Sequence, residues 1–298
     1  MKNIEFERKK ANVEAIKARL DKYRNQPEFG KVHISDIQGT FVRRFGDDVE
    51  LYCYPNGTKD LSDIMTRINI NDPLHMASPY SHCILLSAVW RETSPKKIYM
   101  AGFGGGILPL FFHHYFGDAH IYASDIDENM YMVAEEYFGL KFDERYHLAV
   151  ADGRQDLAGR QEKFDVILHD VFFGKGDHPN HLATREFFEI CKSKLTPNGV
   201  MAANIIDIDP LHKEKIAAVR ATFQHSYTRY HAGAYAVFGC TKPLEIDKLV
   251  KRAKAFEKAE SLSYPFSAHA KELEPIKPIE TVAPLTDTDL SGGVKLTA

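Results

Sequence analysis

The chain has 298 residues, of which 44% are hydrophobic, and a formal net charge of −3 at pH 7. This length suits one large domain with appendages or two smaller ones, and the charge gives no electrostatic footprint for nucleic acid. No apolar run approaches the ~18 residues of a membrane span and the charged N-terminus carries no secretory signal, so we expect a cytoplasmic protein that binds neither nucleic acid nor a membrane.

The first 75 residues predict two small units. Residues 3–24 carry apolar side chains at three- to four-residue spacing, which predicts an amphipathic helix that docks on the main domain or on a second subunit. Between residues 31 and 71, short alternating runs separated by turn signals predict a small antiparallel β-unit. We therefore assign residues 1–30 to an N-terminal helix and residues 31–75 to a small β domain.

The central stretch predicts a nucleotide-binding turn. A helix over residues 81–90 precedes a short apolar strand, Ile98–Ala101, and a helix begins at Ile107. Between them lie the glycines Gly102, Gly104, Gly105 and Gly106. Glycines let the backbone approach a ligand, and the first helical turn presents free N–H groups. A dinucleotide fingerprint would need glycine at position 107, so a cofactor without pyrophosphate is favoured over NAD; the alternative is a turn that binds nothing.

Three acids follow short apolar strands. Asp125 ends the second run, 19 residues after Gly106, which is about the distance at which an acid hydrogen-bonds ribose hydroxyls. Asp152 and Asp170 end the runs VADG and FDVILHD in the same manner. Ligands of open parallel sheets bind outside these carboxyl ends. The alternative for each single acid is a loop or helix cap.

The remainder of the chain predicts alternating helices and strands and then a tail. The expected elements are a loop over 172–181, a helix over 184–195, a strand over 200–206, a helix over 211–223, strands over 227–231 and 234–240, and a helix over 246–259. Beyond residue 261 the sequence is rich in Pro, Thr and Asp. This composition predicts a tail that lies over the surface or is disordered.

Several segments resemble a known family. GFGGGILP, SDIDENM, ADGRQDL, FDVILHDVF and HLATREFFEICKSKLTPNGVMAANI are similar to class I S-adenosylmethionine-dependent transferases, more narrowly to the spermidine-synthase-like branch. The resemblance covers residues 52–240 and is strongest over 98–206. It implies an α/β, Rossmann-like class I methyltransferase fold with a seven-stranded, mostly parallel sheet. Residues 76–260 would form the catalytic domain and residues 261–298 the tail, and we expect a homodimer.

The resemblance also implies roles for particular residues. The expected cofactor is S-adenosylmethionine or its decarboxylated form, bound by Gly102, Gly104, Gly106, Asp125, Asp127, Asp152 and Gly153. Asp170 is the expected catalytic residue, which would orient or deprotonate an amine. The expected substrate-binding residues are Tyr80, His82 and Asp177.

Departures from the polyamine synthases bear on the reaction. Those enzymes carry an acid where this chain has Gly105, a Glu where it has His82, and a second acid soon after the position of Asp170. Loss of these carboxylates should weaken the binding of a protonated polyamine. Methyl transfer from intact S-adenosylmethionine to a small-molecule acceptor, with an amine as the expected nucleophile, is therefore favoured. The alternatives are aminopropyl transfer from the decarboxylated cofactor and a non-catalytic nucleoside-binding protein; the acceptor itself is left open.

Histidines and cysteines give no metal signal. His169, His178 and His181 flank the predicted site, and one of them is a candidate for a catalytic or substrate-binding role. Their spacing matches no metal-ligand pattern, so we predict no metal. The cysteines are far apart and form no C-x-x-C pair, which favours reduced packing residues over disulfides or a zinc site; they are Cys53, Cys83, Cys191 and Cys240.

Overall fold

The computed structural model describes residues 2–26, 28, 30–35, 39–54, 64–172, 179–278 and 281–290. The α-helices are α1 (Lys2–Leu20), α2 (Pro79–Ile84), α3 (Ile107–Tyr115), α4 (Asn129–Tyr137), α5 (Gly153–Gly159), α6 (Arg185–Lys194), α7 (His212–Thr222), α8 (Ile246–Glu260) and α9 (Phe266–Lys271). The strands are β1 (Gly30–Ile34), β2 (Gly39–Phe45), β3 (Asp48–Tyr54), β4 (Ile64–Asn69), β5 (Lys97–Ala101), β6 (His120–Asp125), β7 (Tyr146–Val150), β8 (Phe164–His169), β9 (Leu195–Ile206), β10 (His225–His231), β11 (Ala234–Cys240) and β12 (Glu274–Pro275).

In the described part of the chain, the larger sheet has the strand order β12-β10-β11-β9-β8-β5-β6-β7. Strands β5 to β9 run parallel, whereas β10, β11 and β12 are antiparallel to their neighbours. The chain moves outward from β5 to β6 and β7, then returns to the other side of β5 as β8. Such a reversal opens a crevice at the carboxyl ends of the central strands. The predicted α/β fold with a mostly parallel sheet is confirmed, and the short β12 adds to the seven strands expected.

Sequence explains why these strands lie at the centre. Every residue of β8 is buried, and its run FDVILH has the near-continuous apolar character of a parallel strand covered on both faces. Helices α5, α6 and α7 pack on one face of the sheet in one apolar cluster, which includes Leu157, Phe187 and Val219. A second cluster on the other face includes residues of α3, α4 and α8.

Strands β1 to β4 form a separate antiparallel sheet in that order. Its inner side chains, Val42, Val49, Leu51 and Ile68, are buried in the same apolar cluster as α3 and α4. The small sheet is therefore packed onto the large unit. The predicted β-unit is present, while the division of the chain at residues 30, 75 and 260 stays a prediction.

A buried acid lies within the small sheet. Glu50 is 1% exposed and accepts hydrogen bonds from the Nε atoms of Arg43 and Arg67, both at 2.9 Å, and from the Tyr52 hydroxyl at 2.5 Å. Burial alone would raise the pKa of Glu50, but these hydrogen bonds outweigh it and lower the pKa. Removing one partner of such a buried charge is strongly destabilising.

Helix α1 docks on its own chain. Ile16 and Leu20 are buried, Arg19 donates from Nε to the carbonyl of Gly139 at 2.7 Å, and Arg8 donates to the carbonyl of His114 at 3.1 Å. Of the two positions predicted for this helix, the structure shows docking on the main domain of the same chain. None of the helices within the described residues is both long and apolar enough to cross a membrane.

Two predicted boundaries were wrong. The helix expected over 81–90 begins at Pro79 and ends at Ile84, and a 3₁₀ helix continues over Leu85–Val89; proline suits the first helical turn because its missing N–H is not needed there. Strand β9 begins at Leu195 and not at residue 200 as expected, so residues 197–199 belong to the strand. Gly199 allows this course because a Cβ there would lie 2.8 Å from a carbonyl oxygen of β8.

The stretch after residue 260 belongs to the fold. Phe266 and Ala270 of α9 are buried in the main cluster, and β12 pairs with β10 through Tyr227 and Thr228. The expectation of a superficial or disordered tail was therefore wrong for residues 261–278. Their apolar residues are irregularly spaced among polar ones, so no helical or strand period marks them.

Candidate active site

A cavity of about 590 Å³ lies at the carboxyl edge of the large sheet, against strand β4. Volumes of this order are typical of small-molecule sites. The residues singled out from sequence that line it are Tyr80, Gly102, Gly104, Asp125, Asp152, Gly153, Asp170 and His181. The fold thus brings the glycine turn and the three strand-end acids to one place.

The glycine turn adopts backbone conformations that side chains disfavour. Gly102 and Gly104 have φ angles of 80° and 53°, in the left-handed region that glycine tolerates. A Cβ at Gly102 would lie 2.5 Å from the carbonyl oxygen of Asp170. Because these residues carry no side chains, the backbone itself forms this wall of the cavity.

Strand β4 is fastened to the same turn. The Thr66 hydroxyl accepts a hydrogen bond from the Gly105 N–H at 3.0 Å. A Cβ at Gly105 would lie 2.6 Å from Thr66 Cγ2. The packing of the small sheet therefore leaves no free space for a side chain at position 105.

Asp125 faces the cavity while holding the turn. Its Oδ2 accepts from the N–H groups of Phe103 at 2.8 Å and Gly104 at 3.3 Å, and Oδ1 accepts from the Asp127 N–H at 2.9 Å. Burial raises the pKa of Asp125, which these backbone N–H groups only partly offset. Since a carboxylate has about four lone-pair sites, it retains capacity for a ligand hydroxyl.

Asp152 combines a helix cap with a histidine contact. Its Oδ1 accepts from the N–H groups of Arg154 and Gln155, both at 3.0 Å, which caps α5. Its Oδ2 lies 2.7 Å from His181 Nε2. Burial alone would raise the pKa of Asp152, but the contact with His181 and the two N–H bonds outweigh it and lower the pKa.

Asp170 lies between two neutral donors. Tyr80 donates from its hydroxyl to Oδ2 at 2.8 Å, and Asn204 donates from Nδ2 to Oδ1 at 3.0 Å. Burial raises the pKa of Asp170, and the two hydrogen bonds offset this only in part. The phenol of Tyr80 stays protonated because burial and the neighbouring Asp170 raise its pKa well above its usual value.

Other predicted site residues lie away from the cavity. Gly106 begins α3 at a φ of 75°, and a Cβ there would lie 2.6 Å from Leu140 Cδ2, so packing behind the turn explains this glycine. Asp127 is 1% exposed and accepts from the Asn129 N–H at the start of α4. His82 stacks on Tyr264 with ring centroids 4.3 Å apart and bonds the Met76 carbonyl. None of these three residues lines the cavity, so the structure does not support their predicted contacts with a ligand.

Of the remaining candidate residues, one is described by the structure and two are not. His169 is buried, with its ring 5.7 Å from that of Phe187. Asp177 and His178 lie outside the described residues, so the predicted role of Asp177 stays a prediction.

The cavity also contains residues that sequence reasoning missed. Thr66, Arg154, Asn204, Asp287 and Leu290 line it. Asn204 lies near the carboxyl end of the predicted fifth strand, and this position was a usable signal. Arg154 directly follows the predicted site residue Gly153, whereas Thr66, Asp287 and Leu290 belong to segments far from the predicted motifs in the sequence.

A match to a family model shows to which family the chain belongs. The family model described as spermine/spermidine synthase domain matches residues 78–238, which is more than half of the chain. The chain belongs to the spermine/spermidine synthase domain family. The matched range contains the glycine turn and all three strand-end acids.

Relatives of this family member include two kinds of transferase. Over 147 residues, 46% of the chain, it is 33% identical to the eEF1A lysine and N-terminal methyltransferase of Bos taurus, of which it covers 21%. It is 25% identical over 208 residues to the polyamine aminopropyltransferase of Neisseria meningitidis serogroup A, covering 67% of the chain and 79% of that protein. The chain thus spans about a fifth of the length of the methyltransferase relative.

A solved structure agrees with the family assignment. Human methyltransferase-like protein 13, crystallised in complex with SAH, superposes with a TM-score of 0.56 at 29% identity, covering 62% of this chain and 93% of that one. The family and its relatives therefore support a transferase.

Proposed function

We propose that the protein is an S-adenosylmethionine-dependent methyltransferase that acts on an amine-containing acceptor. The observation that carries the proposal is the Asp170 carboxylate, held in the cavity wall beside the glycine turn by Tyr80 and Asn204. A carboxylate fixed at this place can orient an amine and accept its proton.

The residues of the cavity fit a nucleoside cofactor. Gly102 and Gly104 line the cavity with bare backbone, and acids lie at the ends of β6 and β7. In this assignment the turn and α3 would hold the methionine part, Asp125 the ribose and Asp152 the adenine. When bound, the sulfonium group would supply an electrophilic methyl carbon.

Asp170 would act on the acceptor. Its two hydrogen bonds use about half of its lone-pair sites, so it can still accept a proton from an amine. Since burial raises its pKa, it is a stronger base than an exposed aspartate. Tyr80 and Asn204 would keep the carboxylate oriented while the proton is taken up at its oxygen.

Charge favours the intact cofactor. No side-chain carboxylate stands at Gly105, where Thr66 fills the space, so the N-terminus of α3 keeps its preference for an anion. The methionine carboxylate of S-adenosylmethionine provides that anion, and the decarboxylated form does not.

Aminopropyl transfer is the second candidate. It is favoured by the Tyr80–Asp170 hydrogen bond of 2.8 Å, because both residues agree with the polyamine-synthase pattern, and by the Neisseria relative.

Calorimetric titration with both cofactors tests the proposal. We expect intact S-adenosylmethionine to bind more tightly than the decarboxylated form, and Gly104→Val to abolish binding because a β-branched residue is strained at φ 53°. A preference for the decarboxylated form, together with spermidine formation from putrescine, would make aminopropyl transfer the favoured function in place of methyl transfer. Binding of neither cofactor by the parent protein would exclude both.

The partners follow from the reaction. A small-molecule amine is the expected acceptor, and a protein amine is the alternative that the eEF1A methyltransferase relative suggests. The expected homodimer stays a prediction; strand β1 lies at the edge of its sheet and exposes Val32 and Ile34, which is a surface suited to pairing with a second copy.

A further inference from the structure

The C-terminal segment 281–290 reaches the cavity and is fastened there by one acid. Asp287 receives two hydrogen bonds from Arg154, from Nη1 to Oδ1 at 2.7 Å and from Nη2 to Oδ2 at 2.5 Å. The Thr184 hydroxyl donates to the same Oδ1 at 2.7 Å. Such a bidentate pair is among the stronger and more directional contacts between side chains.

Arg154 connects Asp287 to the end of the cavity where Asp152 lies, which the proposed function assigns to the adenine. It follows Gly153 at the start of α5 and donates from Nη1 to the carbonyl of His181 at 3.0 Å. His181 in turn places Nε2 2.7 Å from Asp152 Oδ2. A continuous path of contacts thus runs from Asp287 through Arg154 and His181 to Asp152.

The segment is held independently of that acid. The Leu285 N–H donates to the Glu214 carbonyl at 3.1 Å, and the Arg185 N–H donates to the Leu285 carbonyl at 2.8 Å. Leu285 is buried, and Leu290 lines the cavity. Loss of the Asp287 carboxylate would therefore leave the segment attached while freeing Arg154.

We propose that Asp287 is a positioning residue for the nucleoside end of the cavity. It holds Arg154, and Arg154 keeps His181 against Asp152, the acid assigned to the adenine. The inference rests on the proposed function in one respect, namely that the cavity binds an adenosine-containing ligand. It adds a residue outside the matched family range to that site.

The test uses two probes that share adenosine and differ in the remainder, S-adenosylhomocysteine and 5′-methylthioadenosine. Asp287→Asn keeps the size of the side chain and removes the charge that holds Arg154. We expect the dissociation constants of both probes to rise by similar factors, roughly tenfold. Asp287→Glu keeps the charge and should restore most of the affinity.

Asp289→Asn is the matched control. Asp289 lies with Asp287 on one 3₁₀ helix, Asp287–Leu290, but its carboxylate accepts from Thr286 and does not line the cavity. It should leave both dissociation constants within about twofold, while melting temperatures are measured on the same preparations.

Each outcome decides the proposal. Unchanged affinity in Asp287→Asn, or a lower melting temperature without weaker binding, would overturn it and leave Asp287 as a structural anchor. Equal losses in the Asp289→Asn control would overturn it as well, because the segment as a whole would then be responsible. If the parent protein binds neither probe, the proposed function fails together with this inference, whereas failure of the variant alone spares the proposed function.

Discussion

At the scale of single residues, Asp170 is stabilised less than its hydrogen bonds suggest. Its two donors, Tyr80 and Asn204, are neutral, and no Lys, Arg or His of the described residues forms an ion pair with it, so burial dominates and raises its pKa. A carboxylate that is costly to ionise is typical of catalytic sites, where groups are kept for chemistry at some expense of stability.

Replacing Asp170 by Asn should separate catalysis from stability. Under the proposed function the change removes the base, and general-base contributions run to 10²–10⁴-fold, so we expect turnover to fall by at least about a hundredfold. The melting temperature should stay the same or rise, because the variant no longer buries a poorly compensated charge. Turnover and thermal unfolding of one preparation provide the two measurements.

An exposed acid provides the control for this variant. Asp118 pairs with Lys96 on the surface, and Asp118→Asn should change neither turnover nor melting temperature measurably. Full turnover in Asp170→Asn would remove Asp170 from the mechanism. A lower melting temperature with normal turnover would make it a structural cap.

At the scale of elements, strand β4 and the glycine turn form one unit. Thr66 bonds the Gly105 N–H and fills the space that a side chain at position 105 would need. The small sheet therefore shapes the cavity wall beside the glycine turn. This contact leaves no free space for the acid that the resemblance to polyamine synthases would place at position 105.

The variant Gly105→Asp tests whether position 105 tolerates a side chain and whether a charge there changes the preferred cofactor. A Cβ at this position would lie 2.6 Å from Thr66 Cγ2 and 3.1 Å from Phe138 Cδ2, so overpacking should lower the free energy of unfolding by about 1–3 kcal/mol. The added negative charge should also weaken the binding of S-adenosylmethionine more than the binding of its decarboxylated form. Denaturant unfolding and calorimetry with both cofactors measure the two effects.

Gly105→Asn is the matched variant, since it is as large as Asp and uncharged. It should reproduce the loss of stability and leave the ratio of the two affinities unchanged. Adding Thr66→Ala should recover part of the stability in either background, because contacting residues couple in a double-mutant cycle. Equal affinity ratios in the Asp and Asn variants would show that charge at this position does not select the cofactor.

At the scale of the whole molecule, acids with lowered pKa tie separate parts together. Hydrogen bonds from Tyr52, Arg43 and Arg67 overcome the effect of burial and lower the pKa of Glu50 in the small sheet. The contact with Arg154 lowers that of Asp287 in the C-terminal segment. Each acid favours the folded state while it is ionised.

The sign of the pH dependence follows from these directions. An acid whose pKa is lowered in the folded state contributes stability above its unfolded pKa, near 4, and loses it as the pH falls through the folded value. We expect the urea midpoint to fall already below about pH 6.5, because burial lowers the pKa of His114 to about 3 and that of His269 to about 4 and the unfolded chain takes up these protons first, and to fall further below about pH 4 as the two acids are protonated. The raised pKa of Asp170 acts in the opposite direction, but above about pH 4, where the folded protein takes up this proton before the unfolded chain does.

Glu50→Gln identifies one source of the decline. The variant should be less stable than the parent at pH 7, by about 1–3 kcal/mol for a lost buried partner. The difference should narrow as the pH falls from about 4 through the lowered pKa of Glu50 in the folded parent, because the parent carboxylate is then protonated too. A midpoint that stays constant down to pH 3, or a difference that does not narrow, would contradict this account.

Local sequence determined the fold class, the strands and the cavity-forming turn. The glycine run, and the acids at the ends of the apolar runs that became β6, β7 and β8, could be identified because each belongs to one short segment with a known periodicity. In parallel strands the carboxyl ends meet at one edge, so Asp125, Asp152 and Asp170 could be predicted to converge. The structure places all three in the cavity wall.

Only the tertiary structure decided which neighbouring residues face that cavity. Gly106 packs against Leu140, and His82 stacks on Tyr264, although sequence placed both in the site. Conversely, Thr66 meets Gly105 across 39 residues and Arg154 meets Asp287 across 133. The direction of a side chain, and the distant segment that fills the space beside it, depend on how elements pack, and no local pattern in the sequence records that packing.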